Sequence, residues 1–299
     1  MVSSCDESMT SVRTLPDMRN KVLALMLGFT ATAVVFVPAT PALANLSLYR
    51  VNSVSAYDSV SPKNATVSCN AGDQMLSVGG RVNDGMGDVL LTRAYADNAL
   101  TLATASGIEA IATANSWSVE VFAVCAPAGT VANLTLQQTT LGPDPNDKTA
   151  VANCPQGRKA YGGGFKLENA FGNVAIDELI FDTSVNVAWV LATSFNYAAV
   201  GNYTLTVQAF CGTAAPIRHE VQTWPSASNS VTPKTETTPT CAGNAQTSGA
   251  GGQLTGALGT VGLATVIPRP LLTVVEATGR EIGATANNWS VTAYAVCVE

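Results

Sequence analysis

The sequence predicts an all-β fold built from three repeats of roughly 85 residues, assembled as a pseudo-threefold, β-prism-like body in which each repeat supplies a sheet. Three small β-sandwiches in tandem form the alternative architecture. Three observations carry the prediction. A strand ending in cysteine is written three times, as Trp117-Ser-Val-Glu-Val-Phe-Ala-Val-Cys125, Tyr203-Thr-Leu-Thr-Val-Gln-Ala-Phe-Cys211 and Trp289-Ser-Val-Thr-Ala-Tyr-Ala-Val-Cys297, with 86 residues between copies (211 − 125 and 297 − 211). A second cysteine series, Cys69, Cys154 and Cys241, keeps step with it. Serine, threonine and β-branched residues are dense throughout, and helical periodicity is weak.

In chain order, residues 1–44 read as an export signal. Arg19 and Lys21 supply the positive segment, residues 22–37 form an almost uncharged apolar run, and Pro41-Ala-Leu-Ala44 gives the small-residue cleavage pattern. No second apolar run long enough to span a bilayer follows, so no membrane span is expected in the mature chain, which is placed outside the cytoplasm. Its repeats are residues 45–129, 130–215 and 216–299. The formal net charge of −6 comes with sparse charge overall and no basic stripe, which argues against nucleic acid or an anionic membrane surface as a partner.

Each repeat offers about five short strands. The first begins in a Ser/Thr/Val stretch at residues 54–67. After the first cysteine comes a turn and a strand ending in glycines, at Gly79-Gly80, Gly162-Gly-Gly164 and Gly251-Gly252. Glycine weakens a strand unless another backbone must pass close by, so its recurrence predicts close packing at that point. Variable turns follow at residues 83–88, 168–173 and 254–264, then strands near residues 89–95, 174–181 and 261–267, and others near 100–104, 187–193 and 271–275. The cysteine-ended strand closes each copy. Side chains alternate across it, so Trp117, Val119, Val121, Ala123 and Cys125 share one face, which is read as the core face of its sheet.

Removal of residues 1–44 takes Cys5 and leaves six cysteines, an even number in an exported chain. The repeat selects Cys69–Cys125, Cys154–Cys211 and Cys241–Cys297, separated by 56, 57 and 56 residues. Metal ligation has little support, because the chain has one histidine and no Cys-x-x-Cys pair.

The middle-repeat run Cys154-Pro-Gln-Gly-Arg-Lys-Ala-Tyr-Gly-Gly-Gly-Phe165 resembles the Cys-Pro-x-Gly element of the vitelline membrane outer layer proteins. The resemblance covers about a dozen residues and thins in the other repeats, where Asn70 and Ala242 replace the proline. It implies a secreted, disulfide-bonded prism of three similar sheets with carbohydrate binding. The tryptophan-to-cysteine strand is also similar to an element of uncharacterised exported bacterial repeat proteins.

No catalytic constellation stands out. His219 is the sole histidine, no Gly-x-Ser-x-Gly turn accompanies it, and it is expected to be solvated near the join of repeats 2 and 3. Asp177 and Glu178 are adjacent on a strand and therefore expected on opposite faces, which weakens a two-acid glycosidase; Glu168 with Asp182 is the remaining carboxylate pairing. Among the aromatics, Tyr57, Tyr95, Tyr161, Phe171 and Trp224 are candidates for stacking on sugar rings. The acidic turns Asn83-Asp84-Gly85-Met86-Gly87-Asp88 and Asp144-Pro-Asn146-Asp147 carry oxygen ligands suited to calcium, although neither matches a helix-loop-helix spacing. Loops that differ among repeats are where a repeat protein carries specificity. The expected ligand-binding residues are thus Asp84, Asp88, Glu168, Asn173, Asp177 and Trp224, with a glycan or cell-surface ligand as the partner, no cofactor and no metal. The sequence favours a non-enzymatic binding protein over a structural component of an envelope or matrix, and over a glycan-acting hydrolase.

Overall fold

The computed structural model describes residues 46–184, 186–213, 218–256 and 259–299; the export signal predicted for residues 1–44 lies outside them. Alternating Ser, Thr, Val and small residues, broken by glycine and proline, produce strands and no helix among the described residues. Repeat 1 gives β1 (Tyr49–Val54), β2 (Lys63–Val67), β3 (Gln74–Asn83), β4 (Val89–Ala96), β5 (Ala103–Glu109) and β6 (Ser118–Ala126). Repeat 2 gives β7 (Thr135–Asp144), β8 (Lys148–Asn153), β9 (Arg158–Glu168), β10 (Val174–Phe181), β11 (Trp189–Asn196) and β12 (Tyr203–Thr213). Repeat 3 gives β13 (His219–Pro225), β14 (Lys234–Thr237), β15 (Gln246–Thr255), β16 (Val261–Pro268), β17 (Val275–Glu281) and β18 (Ser290–Val298). There are six strands per repeat rather than five, because an edge strand precedes the expected first one.

The strands form three open, six-stranded antiparallel sheets, ordered β1-β6-β3-β16-β17-β14, β7-β12-β9-β4-β5-β2 and β13-β18-β15-β10-β11-β8. No repeat makes its own sheet. In every sheet the first, sixth and third strands of one repeat meet the fourth, fifth and second strands of the preceding repeat, with repeat 3 preceding repeat 1. The expectation that each repeat supplies a sheet is corrected by this exchange, and the tandem-sandwich alternative goes with it. Alternation marks which face of a strand is apolar; it carries no information on which repeat supplies the neighbour.

The glycine clusters lie on the seams. β3 meets β16 through Arg81–Thr265 and Gly80–Val266, β9 meets β4 through Lys166–Arg93 and Phe165–Ala94, and β15 meets β10 through Gln253–Glu178 and Gly252–Leu179. A Cβ at Gly79 would lie 2.5 Å from the Val266 carbonyl oxygen, one at Gly164 2.7 Å from that of Ala94, and one at Gly251 2.4 Å from that of Leu179. The predicted close packing is therefore the passage of a neighbouring repeat's backbone. Nearer the centre, Ser248 Oγ donates to the Tyr161 carbonyl at 2.6 Å and the Leu76 carbonyl abuts Gly162.

Two further contacts join the repeats in order. Gln74 exchanges two hydrogen bonds with the backbone of Val131 (2.8 and 2.9 Å), and the Leu48 amide donates to Gln246 Oε1 at 3.0 Å. The second contact ties the start of repeat 1 to repeat 3, so the ring of seams closes.

The cysteine-ended strands β6, β12 and β18 lie one place in from an edge, and their predicted core faces are fully buried. Most of the opposite face of β6 is buried as well, Phe122 lying under the guanidinium groups of Arg50 and Arg81, 4.9 and 5.7 Å from the ring centroid. All three predicted bridges are present, Cys69–Cys125, Cys154–Cys211 and Cys241–Cys297. Three bridges within one chain are the mark of an oxidising compartment. No helix among the described residues is long and apolar enough to cross a membrane.

One repeated device is missing from the sequence reading. A buried lysine stands over the leading aromatic ring of each copy: Lys63 over Trp117 at 4.5 Å, Lys148 over Tyr203 at 4.0 Å, and Lys234 over Trp289 at 4.0 Å. Each ammonium is held by an Asx side chain and backbone carbonyls, Asp58 and Val60 in repeat 1, Asp144 and Asn146 in repeat 2, Asn229 and Val231 in repeat 3. A desolvated cation on a ring is worth about 2 kcal/mol. The ring edges are satisfied too: Trp117 Nε1 donates to Glu109 (3.1 Å), Trp289 Nε1 to Glu281 (3.2 Å), and the Tyr203 hydroxyl pairs with Ser194 (3.1 Å).

Candidate functional site: the seam clefts

Each seam sets a transverse row of polar side chains on the outer face of its sheet, because residues opposite one another across antiparallel strands share a face. In the first sheet the row runs Glu120, Arg81, Thr265, Thr278, Thr235. The second runs Thr140, Thr206, Lys166, Arg93, Ser106, Asn64, and the third Thr292, Gln253, Glu178, Thr193, Thr149. The strand before each row carries a β-bulge, between Leu91 and Arg93, Ile176 and Glu178, and Leu263 and Thr265. A bulge re-aims the side chain it inserts, here Thr92, Asp177 and Ala264.

Beside two of these rows lie open clefts at equivalent places. The cleft of the second sheet, about 280 Å³, is lined by Asn64, Thr92, Arg93, Ser106, Ile108 and Leu167, with Asn169 and Phe171 of the β9–β10 turn at its rim. The cleft of the third sheet, about 400 Å³, has Thr149, Asp177, Glu178, Thr193, Phe195 and Leu254 in the corresponding positions. The frame is shared and the chemistry is not. Arg93 becomes Glu178, and Thr92 becomes Asp177.

In the third-sheet cleft Glu178 is well held. It accepts from Gln253 Nε2 at 2.7 Å and from Thr193 Oγ1 at 3.1 Å, and the Tyr294 hydroxyl donates to Gln253 at 2.8 Å. Asp177 lines the same cleft and is buried; the expectation that the two acids occupy opposite faces fails because the bulge interrupts the alternation between them. Burial, and after it the Glu178 carboxylate, pushes Asp177 up from 3.8 to about 8.

A stability consequence follows from the direction of this shift. The folded chain holds a proton on Asp177 that the unfolded chain releases near pH 3.8, so its contribution is present at acid pH and is lost as pH rises through about 8. His219 works oppositely: burial lowers it from 6.5 to about 4, so stability is gained as pH rises from 4 to 6.5. The two slopes offset one another up to pH 6.5. Between pH 6.5 and 8 Asp177 acts alone, and wild type is expected to lose about 2 kcal/mol that Asp177→Asn does not lose, as measured by urea midpoints at the two pH values.

The remaining predicted residues occupy other places. Glu168 ends β9 and pairs with Lys166 at 3.1 Å. Asp182, its proposed carboxylate partner, instead organises the β10–β11 turn by accepting from the amides of Ser184 and Ala188 and the Ser184 hydroxyl. Asp84 is an exposed turn residue bonded to Tyr57, and the Asp88 carbonyl accepts from the amides of Ala110 and Ile111 at 2.7 and 3.1 Å. Asn173 donates to the Ala199 carbonyl at 2.9 Å and its backbone carbonyl accepts from the Tyr197 amide, so it fastens the β9–β10 turn to the β11–β12 connection. Trp224 stands exposed on edge strand β13, outside both cleft linings.

Of the aromatics considered for stacking, Tyr57, Phe171 and Trp224 are exposed, while Tyr161 is buried. His219 is buried rather than solvated: its ring meets Tyr161 edge-on at 4.6 Å, with Nε2 2.9 Å from the Ala160 carbonyl. Among the described residues no three His, Cys, Asp or Glu side chains group closely enough to hold a metal ion. The sequence reading passed over Arg93 and Lys166. A like-charge pair facing across a seam is invisible until the seam partner is known.

No protein-family model matches the chain, and no curated protein matches it.

Proposed function

We propose that the protein is a secreted, non-enzymatic scaffold that binds a glycan or another extracellular ligand in its seam clefts and at the loops beside them. The observation that carries this reading is the recurrence of one cleft frame with exchanged side chains, Arg93 and Thr92 at one seam against Glu178 and Asp177 at the next. A groove kept for packing alone has no need for opposite charges on the same frame. An exposed Phe171 at the rim supplies a flat apolar surface of the kind that receives a sugar face. The resemblance of residues 154–165 to vitelline membrane outer layer proteins supports the same ligand class.

A glycan array and a polysaccharide pull-down with the full oxidised chain, with and without calcium, test the proposal. Retention of a defined glycan class, weakened by Phe171→Ala, is the expected result. No retention on either leaves a structural role in an envelope or matrix, which recovery from an insoluble assembled fraction would support. One observation favours a hydrolase as second reading: a protonated acid, Asp177, beside Glu178 in an open cleft is a pairing that glycan hydrolysis uses. Release of reducing ends from a retained polysaccharide, lost in Asp177→Asn, would move the assignment there.

A further inference from the structure

We infer that the cleft of the second sheet takes an anionic sugar polymer, with Arg93 binding a carboxylate or sulfate oxygen; the assignment rests on the glycan-binding reading above. Arg93 Nε, like those of Arg81 and Arg218, is enclosed without a hydrogen-bond partner, but unlike them Arg93 has no carboxylate among the described residues paired with its guanidinium. An enclosed donor on a charged group is costly unless something outside the chain accepts from it.

Opposite Arg93 across the seam stands Lys166, and like charges directly opposite one another destabilise a sheet. The other seams avoid this arrangement. There the same positions hold Arg81 with Thr265, and Gln253 with Glu178, and each charged member is compensated, Arg81 by Glu120 and Glu178 by Gln253 and Thr193. Lys166 is already engaged: Glu168 holds its ammonium at 3.1 Å, and it lies 4.8 Å over the Tyr95 ring. The nearby acid is therefore spent on Lys166, and Arg93 keeps its charge for the cleft.

The surroundings suit a sugar more than a bare ion. Asn64 and Ser106 line the floor with neutral donors and acceptors. At the rim Phe171 is 74% exposed and held at φ +47°, a backbone state that a bulky residue adopts at a cost. A guanidinium fork binds planar oxyanions in two-point fashion, and a flat ring beside it covers the apolar face of the same residue of a polymer.

Calorimetric titration of the full oxidised chain at low salt provides the test, with polygalacturonate against its methyl ester and dextran sulfate against dextran. At least one acidic polymer is expected to bind about ten-fold or more tightly than its neutral counterpart, with affinity falling as salt rises. Arg93→Gln, with its thermal midpoint no lower than that of wild type, is expected to bring that affinity down to the neutral level. Should Arg93→Gln fold poorly, Arg93→Lys is expected to retain the salt dependence and lose several-fold in affinity. Equal binding of acidic and neutral polymers, binding of neither acidic polymer, or wild-type affinity in the Arg93 variants would overturn the inference. If the array still retains a neutral glycan, glycan binding survives without the charge assignment; if no glycan is retained, both readings fall.

Discussion

Residues 46–129, expressed alone and oxidised, are expected to show no cooperative thermal transition, whereas the full chain melts in one step. Repeat 1 divides its six strands between two sheets: β1, β6 and β3 in the first, β2, β5 and β4 in the second. Its β3 and β4 each pair outward, to β16 and β9, so an isolated copy has two three-stranded halves with bare inner edges. The main buried core is likewise a continuous cluster drawn from all three repeats, and a small second one joins Leu90, Ala175 and Ile282, one residue from each. Three strands stand alone only with a covered hydrophobic face, and here that cover comes from the other repeats, which the Cys69–Cys125 bridge cannot replace. Far-UV circular dichroism melts and amide exchange would measure the effect. A sigmoidal melt of the single repeat near the midpoint of the full chain would mean that the seams contribute little.

Replacing both Cys154 and Cys211 by alanine is expected to cost about 4 kcal/mol, a loss of roughly 10 °C in melting midpoint for a body of this size. The bridge closes a loop of sequence separation 57, and in the chain-entropy account a loop of that length removes much freedom from the unfolded state. It also fastens the end of β12 to the turn that launches β9, the strand carrying the seam glycines. The double substitution avoids leaving an unpaired thiol in a buried position, since Cys211 is fully buried. Guanidinium unfolding with an unchanged denaturant slope would isolate the stability term. A loss below about 1 kcal/mol would show that the seams, and not the bridges, dominate.

The parts of the fold legible in the sequence are those with a local signature. The cysteine pairs followed from two series with one spacing, and the core face of β6 followed from strict alternation. The seams were hidden because strand pairing across repeats leaves no mark in either strand beyond the glycines that permit it. β5 and β17 were placed several residues too early for a related reason. Their segments, Ala-Thr-Ala-Ser-Gly-Ile-Glu and Val-Glu-Ala-Thr-Gly-Arg-Glu, are poor in strand-forming residues because Gly107 and Gly279 make room for the rings of Trp117 and Trp289. In the corresponding place of repeat 2 stands Ser194, whose hydroxyl meets that of the smaller Tyr203.

The candidate site was legible only in part. Asp177 and the 168–173 turn were singled out from composition, and both line seam clefts in some measure. The placing of Asp177 and Glu178 at one cleft was not, because one inserted residue at a bulge cancels the alternation rule from which their faces were read. Arg93 carries no motif. Its significance arises from Lys166 on another repeat and from the absence of an acceptor for its Nε among the described residues.

The exchange of strands between neighbours also changes what counts as a module in this chain. A sequence repeat spans two half-sheets on different faces, so substituting one whole repeat for another rewrites half of two clefts and completes neither. No contiguous stretch of the chain carries one face intact, because each sheet takes the second, fourth and fifth strands of one copy and the first, third and sixth of the next. Recombination that preserves binding would therefore have to move the two copies that flank a seam together.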